Sequence, residues 1–155
     1  MSEQNQPVQK EFSLQKIYVK DVSFETPNSP AIFTMKWEPK VELNLTSQAQ
    51  QLQENLLELS ITVTVTVKLE EKTAYLAEVC QAGIFAMKGF TEQEMGPMIG
   101  SYCPAILFPY AREAISDLVT KGGFPPMLLA PVNFDALYLQ HLQQNIQPSD
   151  PATAH

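Results

Sequence analysis

From residue 57 to residue 69 the chain alternates without a break. Leu57, Leu59, Ile61, Val63, Val65, Val67 and Leu69 are apolar; Glu58, Ser60, Thr62, Thr64, Thr66 and Lys68 are polar. Successive strand side chains point to opposite faces, so this period of two predicts a long strand with one covered face and one wet face. Three weaker alternations flank it. In residues 17–25, Ile17 and Val19 share a face, but after Lys20-Asp21 the apolar positions move to Val22 and Phe24, which predicts a bulge or bend. In residues 37–45, Trp37, Val41, Leu43 and Leu45 oppose Glu38, Lys40, Glu42 and Asn44. In residues 73–85, Tyr75, Ala77 and Val79 alternate with Leu76, Glu78 and Cys80, until Gly83 and Gly89 break the pattern. Glu70-Glu71-Lys72 reads as the turn joining the last two strands, and 26–30 (TPNSP) as a loop.

The period then becomes helical. Thr91-Glu92-Gln93-Glu94 has the form of a capping box. The piece it opens is expected to be short, because Gly96, Pro97 and Gly100 follow. A stronger helix is expected over residues 105–121, where Ile115, Leu118 and Val119 recur at helical spacing and Lys121-Gly122-Gly123 supplies a basic last turn and a terminal glycine. Pro109 is expected in its first turn or at a kink. A last helix starts near Asn133, a good N-cap, with Phe134, Leu137, Tyr138, His141 and Leu142 along its apolar stripe. Four strands with tight connections followed by helices predict an α+β fold: a four-stranded antiparallel sheet with helices packed on one face. Residues 1–11 read as a flexible arm, 12–145 as the folded domain and 146–155, with Pro148 and Pro151, as a flexible tail.

Charge and composition narrow the function classes. A net charge of −7 argues against nucleic-acid binding, which needs a basic face to displace counterions. No apolar run approaches the length of a membrane span, and the N-terminus lacks the basic and apolar regions of a signal peptide, so a soluble, cytoplasmic protein is expected. The two cysteines, Cys80 and Cys103, form no CxxC and read as structural thiols. There is no phosphate loop, GxSxG or HExxH, and no nucleophile–base pair, so an enzyme has no specific support and no cofactor or metal is implied. Three readings remain from the residues alone: a binding module for unfolded chains, a carrier with one small-molecule or lipid ligand in an apolar groove, and an enzyme with an unrecognised site.

Three segments go further: Ile17 to Asn28 (IYVKDVSFETPN), Cys103 to Glu113 (CPAILFPYARE) and Leu129 to Leu137 (LAPVNFDAL), with Gln81-Ala82-Gly83-Ile84-Phe85 between them. With these the chain resembles the SecB family of bacterial export chaperones over about residues 14–145. The resemblance implies an ATP-independent holdase in the bacterial cytoplasm. It implies a homotetramer, a dimer of dimers, that keeps unfolded precursor proteins competent for translocation and passes them to the SecA motor. It implies a client groove involving Phe33, Trp37, Val41, Leu43, Phe124, Leu128, Tyr138 and Leu142. It further implies a SecA-docking surface of Asp21, Glu25, Leu76 and Glu78, and an oligomer interface that includes Ala77, Val79, Gln81, Ile115 and Leu118. The sequence departs from the family at its C-terminus, where QPSDPATAH is short and nearly uncharged. The expectation is therefore that SecA docking rests mostly on the acidic sheet surface.

Overall fold

The computed structural model describes residues 9–146; most of the expected arm and nearly all of the expected tail lie outside them. Four strands form one antiparallel sheet: β1 (Glu11–Glu25), β2 (Pro39–Gln53), β3 (Leu56–Leu69) and β4 (Lys72–Lys88), in the order β1-β4-β3-β2. Helix α1 (Glu92–Pro97) runs through one wide π-type stretch, Met98–Tyr102, into α2 (Cys103–Lys121), and α3 (Phe134–Ile146) closes the domain. The α+β class and the antiparallel sheet are as the sequence predicts.

β3 follows its alternation faithfully. Leu59, Ile61, Val63, Val65 and Val67 have no exposed surface, whereas Thr62, Thr64 and Thr66 between them are half-buried. The cover on the apolar face is α2, whose stripe Leu107, Ala111, Ile115 and Val119 is also fully buried. Spacing of four places these side chains on one helix face, so removing apolar surface from water docks helix and sheet together. The bulge in β1 is present: the register with β4 shifts between Val19 and Asp21. A second shift, between Leu14 and Lys16, lies in a segment of β1 that begins six residues before the alternation predicts.

Other boundaries differ for physical reasons. β2 starts at Pro39, so Trp37 lies outside it, and it continues through the polar run Thr46 to Gln53 because β3 supplies a ladder partner there, as in Ser47 opposite Ile61. Gly83 does not interrupt β4. It faces α2, and a side chain there would press on Leu107, so glycine lets the helix sit close. The first α-helix is short, as expected, and ends at Pro97; the chain then continues through Gly100 as a π-type turn, a form common where a helix accommodates an irregularity. Pro109 sits well inside α2, and the Ala105 carbonyl it fails to bond belongs to an exposed residue. The capping box is formed: Glu94 N–H donates to Thr91 Oγ1 and Thr91 N–H to Glu94 Oε1, each at 3.2 Å. Asn133 caps α3 by accepting from Ala136 N–H at 3.0 Å.

Candidate functional site: an apolar groove and an open acidic face

Because α2 covers only the middle of the sheet, the helix-facing side of edge strand β2 stays bare. Val41 and Leu43 point to the same side as the buried Val67 and Val65 opposite them, yet are 47% and 46% exposed. Apolar side chains on a covered face that remain in contact with water form a strip able to bind something else. At one end of this strip lies an aromatic cluster. The Phe33 ring stacks on Phe124 at 4.9 Å, and Trp37 meets the same ring at 5.9 Å. Phe24 and Tyr75 pack behind it at 6.4 and 4.9 Å from Phe124. Phe124 is buried and forms the floor of the site; Phe33 is half-exposed and forms its rim. Leu128, on the loop above, is 85% exposed.

At the other end α3 approaches β2 and leaves a cleft of about 350 Å³ lined by Leu45, Ile61, Pro104, Phe134, Leu137, Tyr138 and His141, among others. Tyr138 anchors the helix. A side chain at Gly100 would overlap the Tyr138 ring, and one at Gly96, one turn earlier, its hydroxyl, so the two glycines form the notch that receives it. The Ser101 hydroxyl donates to Asp135 beside this notch. Leu142 is half-buried on the same helix. The structure thus brings together Phe33, Trp37 and Phe124 as one cluster and Val41 and Leu43 as one strip, with Tyr138 lining the cleft. Leu45, Ile61, Phe134 and Leu137 also line it, and the pairing of β2 with β3 is what brings the first two in.

The opposite face of the sheet has a different chemistry. Asp21, Ser23 and Glu25 of β1 lie opposite Cys80, Glu78 and Leu76 of β4, so Asp21, Glu25, Leu76 and Glu78 share one contiguous patch. Thr64 of β3, opposite Glu78 on its other side, donates a hydrogen bond to Glu78 Oε2 at 2.9 Å. Farther along, Glu58 accepts from Tyr18 and pairs with Lys20 at 3.0 Å. The Tyr18 hydrogen bond and then the one from Lys20 hold the Glu58 carboxyl below its usual range. Burial first, then Glu58, pushes the Tyr18 hydroxyl up to about 12. Cys80 is half-buried on this open face, whereas Cys103 is buried at the start of α2 and burial pushes its thiol up to about 12.

The residues linked to subunit contacts are mostly internal to the chain. Ala77, Val79 and Ile115 are fully covered within one protomer and Gln81 nearly so; only Leu118 is half-buried. Gln81 Nε2 donates to the Tyr18 carbonyl at 3.1 Å, next to the β1 bulge. Beside them, Val19 and Val22 on edge strand β1 are 46% and 45% exposed, and Tyr110 on α2 is 47% exposed. No helix among the described residues is long and apolar enough to cross a membrane.

Comparison with known proteins places this architecture. The family described as "Preprotein translocase subunit SecB" matches residues 4–145. A "Protein-export protein SecB" from Methylococcus capsulatus is 72% identical over 155 residues, covering both chains completely. Its counterpart from Nitrosococcus oceani is 59% identical over 145 residues, covering 92% of this chain and 87% of the relative. Among solved structures, a SecB-like chaperone of Mycobacterium tuberculosis, in complex with an antitoxin peptide, superposes with a TM-score of 0.66. It is 16% identical, and the match covers 78% of this chain and 90% of that one, so it speaks for the fold.

Proposed function

Since this chain belongs to the SecB family of protein-export chaperones, we propose that it holds unfolded precursors in the groove between β2 and the helices and offers its acidic sheet face to SecA. The observation that carries the holding reading is the bare strip of Val41 and Leu43, running between the Phe33–Trp37–Phe124 cluster and the α3 cleft. Dispersion and apolar burial are not specific to a sequence, so such a strip takes many extended segments with comparable affinity. Aromatic rims add large contact area with few rotatable bonds.

Holding then follows from mass action. A protein that binds the unfolded and not the native state draws its client toward the former, with no nucleotide needed. Fast-folding chains bury their apolar segments before capture, so kinetics select the clients. Delivery to SecA is supported by the open-face patch in which the carboxylates Asp21, Glu25 and Glu78 lie on neighbouring strands, with Leu76 opposite Glu25. A dimer of dimers is supported by the half-exposed Val19, Val22 and Tyr110 along the β1 edge. Ala77, Val79, Gln81 and Ile115 would then act on assembly from inside, by setting how α2 and the β1 bulge sit. The bacterial cytoplasm, where precursors emerge from synthesis, is the compartment this reading requires.

The test is refolding of a chemically unfolded, signal-bearing precursor diluted with or without this protein and without nucleotide. Stoichiometric arrest with the precursor kept soluble is the expected result. Unchanged refolding for several slow-folding clients would sink the holding reading and favour a single-ligand carrier. For docking, charge reversal at Glu25 and Glu78 is expected to abolish SecA binding while leaving client arrest intact; unchanged SecA affinity would refute it.

A further inference from the structure

The open face carries a cross-strand row, Ser23–Glu78–Thr64–Asn44, one residue from each strand. Its outer members are short and exposed; its inner pair, Thr64 and Glu78, is half-buried and joined by the 2.9 Å hydrogen bond from the Thr64 hydroxyl to Glu78 Oε2. The strand does not need that hydroxyl. Thr64 sits between the buried Val63 and Val65, where any β-branched side chain suits the pleat.

We propose that Thr64 is a positioning residue for the docking surface: it fixes the Glu78 carboxylate in advance, leaving Oε1 for a basic group of the partner. The inference rests on the docking reading above. A glutamate has three torsions to immobilise when a partner binds, and an exposed one sheds that freedom at the expense of affinity. One oxygen tied to a neighbour of the same rigid sheet removes much of this cost. The free oxygen then presents a fixed direction, which favours a guanidinium or ammonium group arriving from the open side.

The experiment measures SecA affinity for the full-length protein and for Thr64→Val, Thr64→Ser, Glu78→Gln and the double variant Thr64→Val/Glu78→Gln, with precursor arrest as a second readout. Thr64→Val is expected to weaken SecA binding about three- to tenfold, the range for releasing one ordered side chain. Thr64→Ser is expected to stay near the parent. The double variant is expected to bind no more weakly than Glu78→Gln alone, because the two groups act as one unit. Client arrest stays unchanged in all four. Parent affinity in Thr64→Val overturns the inference, as does an equal loss when Thr64→Val is added to Glu78→Gln, since the effect would then run through the sheet. Thr64→Ala, expected to behave like Thr64→Val, answers the same question should the valine variant fold poorly. Parent affinity in Glu78→Gln sinks the docking reading itself and the inference with it, an outcome distinct from the other two.

Discussion

Replacing Val41 and Leu43 together by threonine tests the groove with little disturbance to the fold. Both sit on edge strand β2 and are 47% and 46% exposed, so about half of each side chain already contacts water in the free protein. Full burial of a valine or leucine side chain is worth roughly 1.5–3 kcal/mol, so the part a client can still cover is roughly 1 kcal/mol for each. Threonine matches the β-branched shape of Val41 and suits a strand at position 43, and its hydroxyl resists being covered without a partner. The pair of changes is therefore expected to weaken binding by about 2 kcal/mol, about a thirtyfold rise in Kd. Fluorescence anisotropy with a labelled, permanently unfolded precursor reads this directly, and the concentration needed to arrest refolding should rise in parallel. Glu42→Gln, between them on the same strand but pointing to the open face, is the control and should leave client affinity unchanged. A threonine pair that binds clients as tightly as the parent, with an unchanged Tm, would refute the assignment of the strip to the groove.

Gly100→Ala is expected to displace Tyr138 and destabilise the protein by about 1–3 kcal/mol in urea titration, as for other overpacked sites; combined with Tyr138→Ala the glycine change should cost little, and equal losses in both backgrounds would reject the notch. Glu58 titrates below its usual range in the folded state, so its contribution is present above the unfolded carboxyl pKa and is lost as pH falls through the lowered folded one. Glu58→Gln should accordingly flatten the acid limb of the stability–pH curve, and an unaltered limb would deny the Tyr18–Glu58–Lys20 network any energetic weight. Cys103, buried and with its thiol pushed up to about 12, should resist a thiol reagent in the native protein and react on unfolding; native modification of Cys103 located by peptide mapping would contradict its burial.

What the sequence made legible and what it hid divide along one physical line. Alternation is local, so β3, the two faces of β4 and the β1 bulge could all be read from neighbouring letters. The polar half of β2 could not, because an edge strand with both faces wet carries no alternation; its pairing with β3 holds it in place. Gly83, Gly96 and Gly100 read as breakers for a similar reason. The side chains they make room for, Leu107 and Tyr138, are distant in sequence and meet them only after folding. The aromatic residues of the proposed groove follow from resemblance, but that Phe124 lies buried beneath a half-exposed Phe33 depends on which ring lies uppermost in the stack.

The same alternation separates the two proposed activities. On β2 the odd positions face the helices and carry the client strip, while on β4 the even positions Leu76 and Glu78 face outward and carry the docking patch. A slip of one residue in any strand would exchange these faces, and the unbroken apolar row of β3 makes that slip expensive because every buried side chain would turn to water. β1 changes phase right beside the patch. Ile17 and Val19 lie on the helix side, and without the register shift after Val19 the next alternate residue, Asp21, would follow them toward α2, with Val22 and Phe24 turned outward. The shift at Lys20 reverses this, sending Asp21 and Glu25 to the open face and Phe24 against Tyr75 and Phe124. Gln81, bonded to the Tyr18 carbonyl just before the shift, is the group placed to hold it. One bulge on an edge strand thereby completes both the acidic patch on one side of the sheet and the aromatic cluster on the other.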